Sequence, residues 1–538
     1  KKSSTYLCGY ASGFFVVSAS FRQNSQNAHD GTIFHHPARR RKGLQTSLPT
    51  QNFHPDIAMT LDPARNATII EMGREIFADL GDTDPSLLDP RYLNSLLMRW
   101  SMSHPEFKVN LFRLVDVLPT LQSNEAIAEH VREYLIPPAN KMHPSLGWFI
   151  SLCKNPLLAN VAALMVRQGV KQMASMFIAG DSPTSALPVL QRLRNERYSF
   201  TVDLLGEFCV CEREAKEYQN RYLDAIETFG ATIPTWKEGA PIISGHPGET
   251  SPVCVSVKLS ALYSQTNVLN FEQSVAVLSE RLAEIARRVK HYGALMYVDA
   301  EDSGNNSIIY EAFKRVFGSE EFLDIPYPGI VIQAYAKNSE ARVDEMLAFA
   351  RQRGAPIAIR LVKGAYWDFE RVVSSQNDWE FPLWTKKQSS DAHYEHLTRK
   401  LLDNRAACLP AFGSHNIRSL SHACCYAKSV GLTEKDFEIQ VLYGMAEPIA
   451  KAFMKRGYLV RMYVPLGELL PGMGYLVRRL LENTSNESFL RHTFFDEDEV
   501  SNLLKEPVMQ PEDGGTPQSQ EISTIEPPQE TEPLYQNS

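Results

Sequence analysis

The sequence predicts an α/β fold, a (β/α)8 TIM-like barrel preceded by a helical arm domain. Three observations predict it. Eight short β-rich runs lie between residues 200 and 464, separated by segments of helical periodicity, and strands alternating with helices mean a parallel sheet. Nearly every run delivers a polar or charged residue to one end, and barrels of this kind carry their chemistry at the C-terminal strand ends. The preceding residues have helical periodicity without such runs.

Residues 1–60 are polar and aperiodic, with seven Lys or Arg against one acid in the first 55, and read as a disordered or targeting-like extension. Over 61–195 the apolar spacing is helical. Ile69, Met72, Ile76 and Leu80 make one stripe, and Ile127, Val131 and Leu135 another behind an N-cap at Asn124. No chemistry is visible there, so a packing arm is expected. The barrel is expected over 196–500, with strands at Phe200–Leu205, Val253–Leu259, Leu295–Ala300, Gly329–Tyr335, Ile357–Val362, Leu409–Gly413, Phe437–Leu442 and Tyr458–Val464. Residues 501–538 are rich in Pro, Gln, Glu and Ser and read as an acidic linker or tail.

The 538 residues, 43% hydrophobic and 10% aromatic, suit a soluble globular protein. The net charge is -8, and seven acids with no Lys or Arg between Glu506 and Ser538 supply most of it. Nothing suggests nucleic-acid binding. Eight scattered cysteines without a CxxC pair point to reduced thiols and a cytoplasmic compartment. No apolar run approaches the ~18 residues of a spanning helix.

The expected strand ends carry the candidates. Glu207 follows strand one, Lys258 ends strand two, Asp299 ends strand three and Gln333 lies on strand four. Arg360 and Lys363 belong to strand five, Ser414 and His415 follow strand six, Gln440 lies on strand seven and Tyr463 on strand eight. Beyond them, "MGYLVRRLLENTSNESF" (473–489) reads as a helix with Tyr475, Arg478 and Arg479 on roughly one face. Cations outnumber the visible carboxylates, and paired arginines suit bidentate capture of an anion, so a negatively charged ligand is expected. There is no GxGxxG, GxxxxGK[ST] or GxSxG motif. His393 and His396 form a lone HxxH that reads as a surface helix pair, not a metal site. The strand pattern leaves open a barrel aldolase with a Schiff base on Lys258 or Lys363, and a non-catalytic scaffold.

The segments "VSVKLSAL", "YVDAED", "VIQAY", "IRLVKGAYWD", "FGSHN", "YVPLG" and "YLVRRLLENTSN" occur in that order. Together they closely resemble the proline dehydrogenase family, nearest to the proline dehydrogenase region of bifunctional proline utilization A (PutA) proteins. The resemblance spans about 198–495, and the helical arm also fits it. It implies an FAD-dependent enzyme that oxidises L-proline to Δ1-pyrroline-5-carboxylate and passes electrons to a membrane quinone, with peripheral association at the inner membrane. By motif, Lys258, Arg478 and Arg479 would hold the proline carboxylate, and Glu207 would pair with an arginine and gate the site. Tyr463, Tyr475 and Leu442 would pack around the ring. Ala300, Gln333, Arg360, Lys363, Gly364, Ala365, Tyr366, Trp367, Thr385, Lys387, Ser414 and His415 would contact FAD. Asp299 and Arg360 would serve catalysis, with Asp299 orienting Arg360 or Lys258. The chain departs from the pattern in having Ser414 where Thr is usual. Bifunctional members continue into an aldehyde dehydrogenase domain. This chain stops at "EPLYQNS", so that activity is expected from a fused or partner pyrroline-5-carboxylate dehydrogenase.

Overall fold

The computed structural model describes residues 62–80, 175–206, 209–236, 243–468 and 497–511, parts of 110–135 and 161–168, and positions 472 and 475. The chain divides into two units, one of residues 1–58, 84–175 and 468–486, the other of 59–83, 176–467 and 487–538. The first boundary therefore cuts through the segment read from the sequence as one arm, and 63–80 goes with the barrel. In the smaller unit the helix Asn124–Leu135 buries Ile127, Ala128 and Val131. Its first turn is capped by Ser123, whose Oγ accepts from Ala126 N at 3.1 Å.

In the larger unit eight parallel strands close into a barrel in sequence order. They are β1 (Ser199–Leu204), β2 (Cys254–Val257), β3 (Leu295–Val298), β4 (Gly329–Gln333), β5 (Ile357–Val362), β6 (Cys408–Gly413), β7 (Glu438–Leu442) and β8 (Val460–Leu466). β8 closes onto β1 with Thr201 opposite Tyr463. The helices are α1 (Pro63–Leu80), α2 (Pro183–Asn195), α3 (Glu212–Thr232), α4 (Phe271–His291), α5 (Ser303–Phe317), α6 (Ser339–Arg353), α7 (Trp367–Asn377), α8 (Lys387–Asp403), α9 (Ile417–Ser429), α10 (Glu447–Lys455) and α11 (Glu497–Leu503).

The main core lies between the outer face of the sheet and these helices. β5 illustrates the alternation. Ile357, Ile359 and Leu361 point outward into that core, while Ala358 packs inside the barrel with Cys254, Leu295, Tyr297, Leu409 and Ala411. α4 answers with Val275, Leu278, Leu282, Ile285 and Val289, one stripe at helical spacing. Each such side chain contributes roughly 1.5–3 kcal/mol on full burial. Turn chemistry keeps two strand-to-helix connections short. Asp302 accepts from Asn305 N at the start of α5, and Asn416 accepts from Ser419 N at the start of α9.

α1 packs outside the barrel against α9 and α10. The predicted stripe, Ile69, Met72, Ile76 and Leu80, is its buried face. Arg418 of α9 bonds Asn66 at 2.5 Å, and Arg456 pairs with Asp79. Arg418 also donates to the carbonyl of Leu504 at 3.0 Å. Leu504 is fully buried, with its side chain against Gly73. Composition assigned Leu504 to the tail, because one leucine among polar residues carries no periodicity.

Candidate active site

Parallel pairing brings the inward side chains of all eight strands into one stack. The register sets Asp203 beside Ser256, Gly413 beside Gln440, and Gln440 beside Arg461. Lys258 and Asp299 are the first residues beyond β2 and β3, at the C-terminal mouth. Lys258 Nζ lies 2.5 Å from Asp203 Oδ1, 3.3 Å from Asp299 Oδ2 and 3.2 Å from the Tyr463 hydroxyl. That hydroxyl donates to Asp299 Oδ2 at 2.8 Å. Asp299 Oδ1 accepts from Ser256 Oγ at 2.7 Å and from Arg360 Nη1 at 2.8 Å. Arg360 Nε donates to Gln440 Oε1 at 2.6 Å, and its guanidinium lies over the Tyr297 ring, 4.1 Å from the centroid.

All of these groups are buried except Tyr463, which is half-buried, and burial is the largest influence on the titration of Asp203, Lys258, Asp299 and Tyr463. Desolvation pushes Asp203 up to about 6 although Lys258 opposes it. Burial would raise Asp299 too, but Lys258 and Arg360 hold it below the usual carboxylate range. Burial would lower Lys258, yet Asp203, Tyr463 and Asp299 keep it well above its ordinary value, so it stays protonated. Burial, Asp203 and Asp299 together push the Tyr463 phenol well up, so it remains a hydroxyl donor. One atom in this cluster has no partner. Arg360 Nη2 is buried, and no acceptor among the described residues reaches it.

The structure thus brings Lys258, Asp299, Arg360, Gln440 and Tyr463 together and adds Asp203 and Ser256 around them. Asp203 was missed as a site residue. Its signal was present: a carboxylate in the middle of "FTVDLL", an apolar run buried throughout. The expected excess of cations counted Arg478 and Arg479, which lie outside the described residues; the three described cations each have a carboxylate partner. Lys258 has Asp203 and Asp299, Arg360 has Asp299, and Lys363 pairs with Asp391. The matching carboxylates Asp203 and Asp391 lie inside other elements, where strand-end counting does not look.

Ala300 follows Asp299 and is buried, and Gln333 at the end of β4 accepts from Asn306 Nδ2 at 3.1 Å. Gly364 follows Lys363 with φ +135°, and a Cβ there would strike the Tyr335 ring, so glycine is required. Ala365 and Tyr366 lead into α7, where Trp367 Nε1 donates to the Trp384 carbonyl at 3.0 Å. Thr385 precedes α8 and Lys387 opens it. Ser414 Oγ accepts from Asn416 N at 3.1 Å, and His415 Nε2 accepts from Leu442 N at 3.0 Å, locking the βα turn after β6 to the end of β7. Tyr475 belongs to the smaller unit. Glu207, Arg478 and Arg479 lie outside the described residues.

The histidine pair is corrected in part. His393 is fully buried, its Nδ1 2.8 Å from the Ala334 carbonyl, and burial pushes its pKa down to about 4. His396 reaches Glu340 at 2.9 Å. α8 turns the His393 face onto the barrel, and spacing alone cannot say which face of a polar helix is covered. Among the described residues no cluster of potential metal ligands exists, and none of the cysteines is in a disulfide.

A family model described as proline dehydrogenase matches residues 186–492, and one described as the proline utilization A N-terminal domain matches 66–177. The bifunctional protein PutA of Escherichia coli strain K12 is 28% identical over 370 residues, covering 67% of this chain and 27% of that protein. Proline dehydrogenase 2 of Bacillus subtilis strain 168 is 28% identical over 342 residues, covering 64% of this chain and 96% of that protein. A solved structure of proline utilization A from Bdellovibrio bacteriovorus, inactivated by N-propargylglycine, superposes with a TM-score of 0.74. It is 38% identical, covering 83% of this chain and 44% of that one. The chain therefore spans about a quarter of the length of the PutA relatives, which are the first it matches.

Proposed function

We propose, for a chain that belongs to the proline dehydrogenase family, that it is an FAD-dependent enzyme oxidising L-proline to Δ1-pyrroline-5-carboxylate, with a quinone as electron acceptor. The observation that carries the reading is Arg360: a buried cation, fixed on three sides, with one N–H edge that no acceptor among the described residues takes up, at the C-terminal mouth of the barrel. A flavin fits that edge. Its isoalloxazine ring has acceptor atoms, and when reduced it carries negative charge that a fixed cation stabilises.

When bound, FAD would accept hydride from the carbon beside the proline nitrogen. This chain's residues supply the rest. Arg360 would hold the flavin, with Gln333, Lys363, Gly364, Ala365, Tyr366, Trp367, Ser414 and His415 along it, Ala300 beside it, and Thr385 and Lys387 at the adenosine end. Lys258, kept charged by Asp203 and Asp299, would attract the proline carboxylate, with Arg478 and Arg479 as the clamp and Glu207 as their counter-ion. Tyr463 spans Lys258 and Asp299 through its hydroxyl, and its ring, with Leu442 and Tyr475, would pack around the pyrrolidine ring. Fixing the substrate this way removes the entropy of finding a reactive geometry.

The aldolase reading is disfavoured. A Schiff-base lysine attacks as the neutral amine, whereas Lys258 is held charged by two carboxylates and Lys363 is tied to Asp391. A fused or separate pyrroline-5-carboxylate dehydrogenase would consume the product, and the name of the PutA relatives, bifunctional protein, is in keeping with a second activity. Among the described residues no helix is long and apolar enough to cross a membrane. The test is the visible spectrum of the purified protein, before and after anaerobic L-proline. Flavin bands that bleach are expected; bands that persist would exclude proline, and a protein that stays colourless with added FAD would exclude the flavoenzyme.

A further inference from the structure

The interior stack does not end at Arg360. Gln440 Oε1 accepts from Arg360 Nε, and Gln440 Nε2 donates to Glu438 Oε1 at 2.5 Å. Glu438 lies at the closed, N-terminal end of the barrel and is paired with Arg461. Arg461 Nε reaches its two oxygens at 3.0 and 3.1 Å, and Nη2 reaches Oε2 at 3.0 Å. The remaining Arg461 donors go to the carbonyls of Phe200 and Gly248. The Tyr297 hydroxyl also donates to Glu438 Oε1, at 3.2 Å, and its ring is the one beneath the Arg360 guanidinium.

We propose that Glu438 is a positioning residue that aims Arg360 by two routes, through the side-chain amide of Gln440 and through the ring of Tyr297. The chemistry of the groups makes the first route directional. A guanidinium only donates and an ionised carboxylate only accepts. Gln440 must therefore turn its NH2 to Glu438 and its oxygen to Arg360, because the reverse orientation is repulsive at both ends. Arg461 keeps Glu438 ionised despite full burial, so the polarity does not reverse. The second route is steric. Tethering Tyr297 by its hydroxyl fixes the plane on which the guanidinium rests. With Nε committed to Gln440, Nη1 to Asp299 and Ser256, and one face to Tyr297, Nη2 is the edge left for a ligand.

The inference rests on the flavin reading for its functional consequence, but not for the geometry. The variants are Glu438→Gln, Gln440→Met and Tyr297→Phe. The last two cut one route each and leave the Glu438–Arg461 pair intact, so they carry the test if Glu438→Gln fails to fold. In the holoenzyme, Gln440→Met is expected to lower kcat about 10- to 100-fold with KM for proline within about twofold. The flavin reduction potential should fall, because a misaligned cation stabilises the reduced anion less. Tyr297→Phe should act in the same direction more weakly, and the double variant should match Glu438→Gln. Crystal structures of the variants should show Arg360 displaced from Asp299, a readout independent of flavin. Wild-type potential and kcat in both single-route variants would overturn the proposal, as would Arg360 unmoved in their crystal structures. A wild-type protein that binds no FAD would sink the flavin reading instead, and the crystallographic position of Arg360 would still decide this one.

Discussion

Arg360 and Arg461 sit in the same barrel, on inward positions of β5 and β8, and are 3% and 2% exposed. They differ in what is left over. At the closed end every nitrogen of Arg461 has a partner: Glu438 takes Nε and shares Nη2 with the Gly248 carbonyl, and Phe200 takes Nη1. At the open end Arg360 spends Nε and Nη1, and Nη2 has no partner among the described residues. Burying an arginine is costly wherever it occurs. A guanidinium with a partner on every nitrogen is committed to the protein, whereas one with a nitrogen left over is oriented and still unsatisfied. The comparison separates a group that holds the barrel closed from one poised for a ligand.

Exchanging the consequences of the two arginines is the most forceful way to break this comparison. Arg461→Met strands Glu438 as an unpaired buried charge and should cost about 3–5 kcal/mol of stability, read from the urea midpoint. Arg360→Met should cost less stability, since Asp299 keeps Lys258, and should lower kcat by ~100-fold or more. Equal stability losses with equal activity losses would dissolve the distinction.

A finer test uses pH at the open end. The Asp203 carboxyl is raised by burial to about 6 from 3.8. A carboxyl with a raised folded-state pKa favours folding fully below the unfolded value, and that contribution is lost as pH rises through the folded one. Between about pH 4 and about pH 6, Asp203→Asn should therefore gain stability relative to the parent. Below about 6 the parent's Lys258 also loses an ionised partner, so the acid limb of kcat/KM should show an apparent pKa near 6 that Asp203→Asn abolishes. A parallel pH profile in the variant would remove Asp203 from the site.

The smallest effect is expected outside the barrel. Arg287 and Glu321 form a two-point pair at 2.5 and 2.9 Å, yet both side chains are about half exposed. Arg287→Ala should leave the thermal midpoint within experimental scatter. A clear drop would mean that matched partners matter even in water, and that burial is not what separates the two ends.

Much of the fold was legible. Periodicity placed all eight strands, Ile357–Val362 at both ends and the rest within one or two residues. It also picked the buried stripe of α1. The strand-end rule brought Lys258, Asp299, Arg360 and Tyr463 to one place. What it missed were partners. Asp203, Ser256, Glu438 and Arg461 sit inside strands, as Arg360 and Tyr463 also do, and period-two patterning registers such residues only as interruptions, without saying which of them meet. The contacts of α1 were hidden as well: Asn66 and Arg418 are 352 residues apart, and local spacing carries no information about so distant a neighbour.

The sequence by itself determined the alternation of strand and helix, the closed parallel sheet that follows from it, and the residue types at the mouth of the barrel, because these depend on periodicity and local turn chemistry. Only the tertiary structure decided which charges cancel. Whether a lysine is free or matched, and whether a guanidinium keeps a spare N–H, depends on donors and acceptors that closure of the barrel brings within 3 Å from strands far apart in the chain.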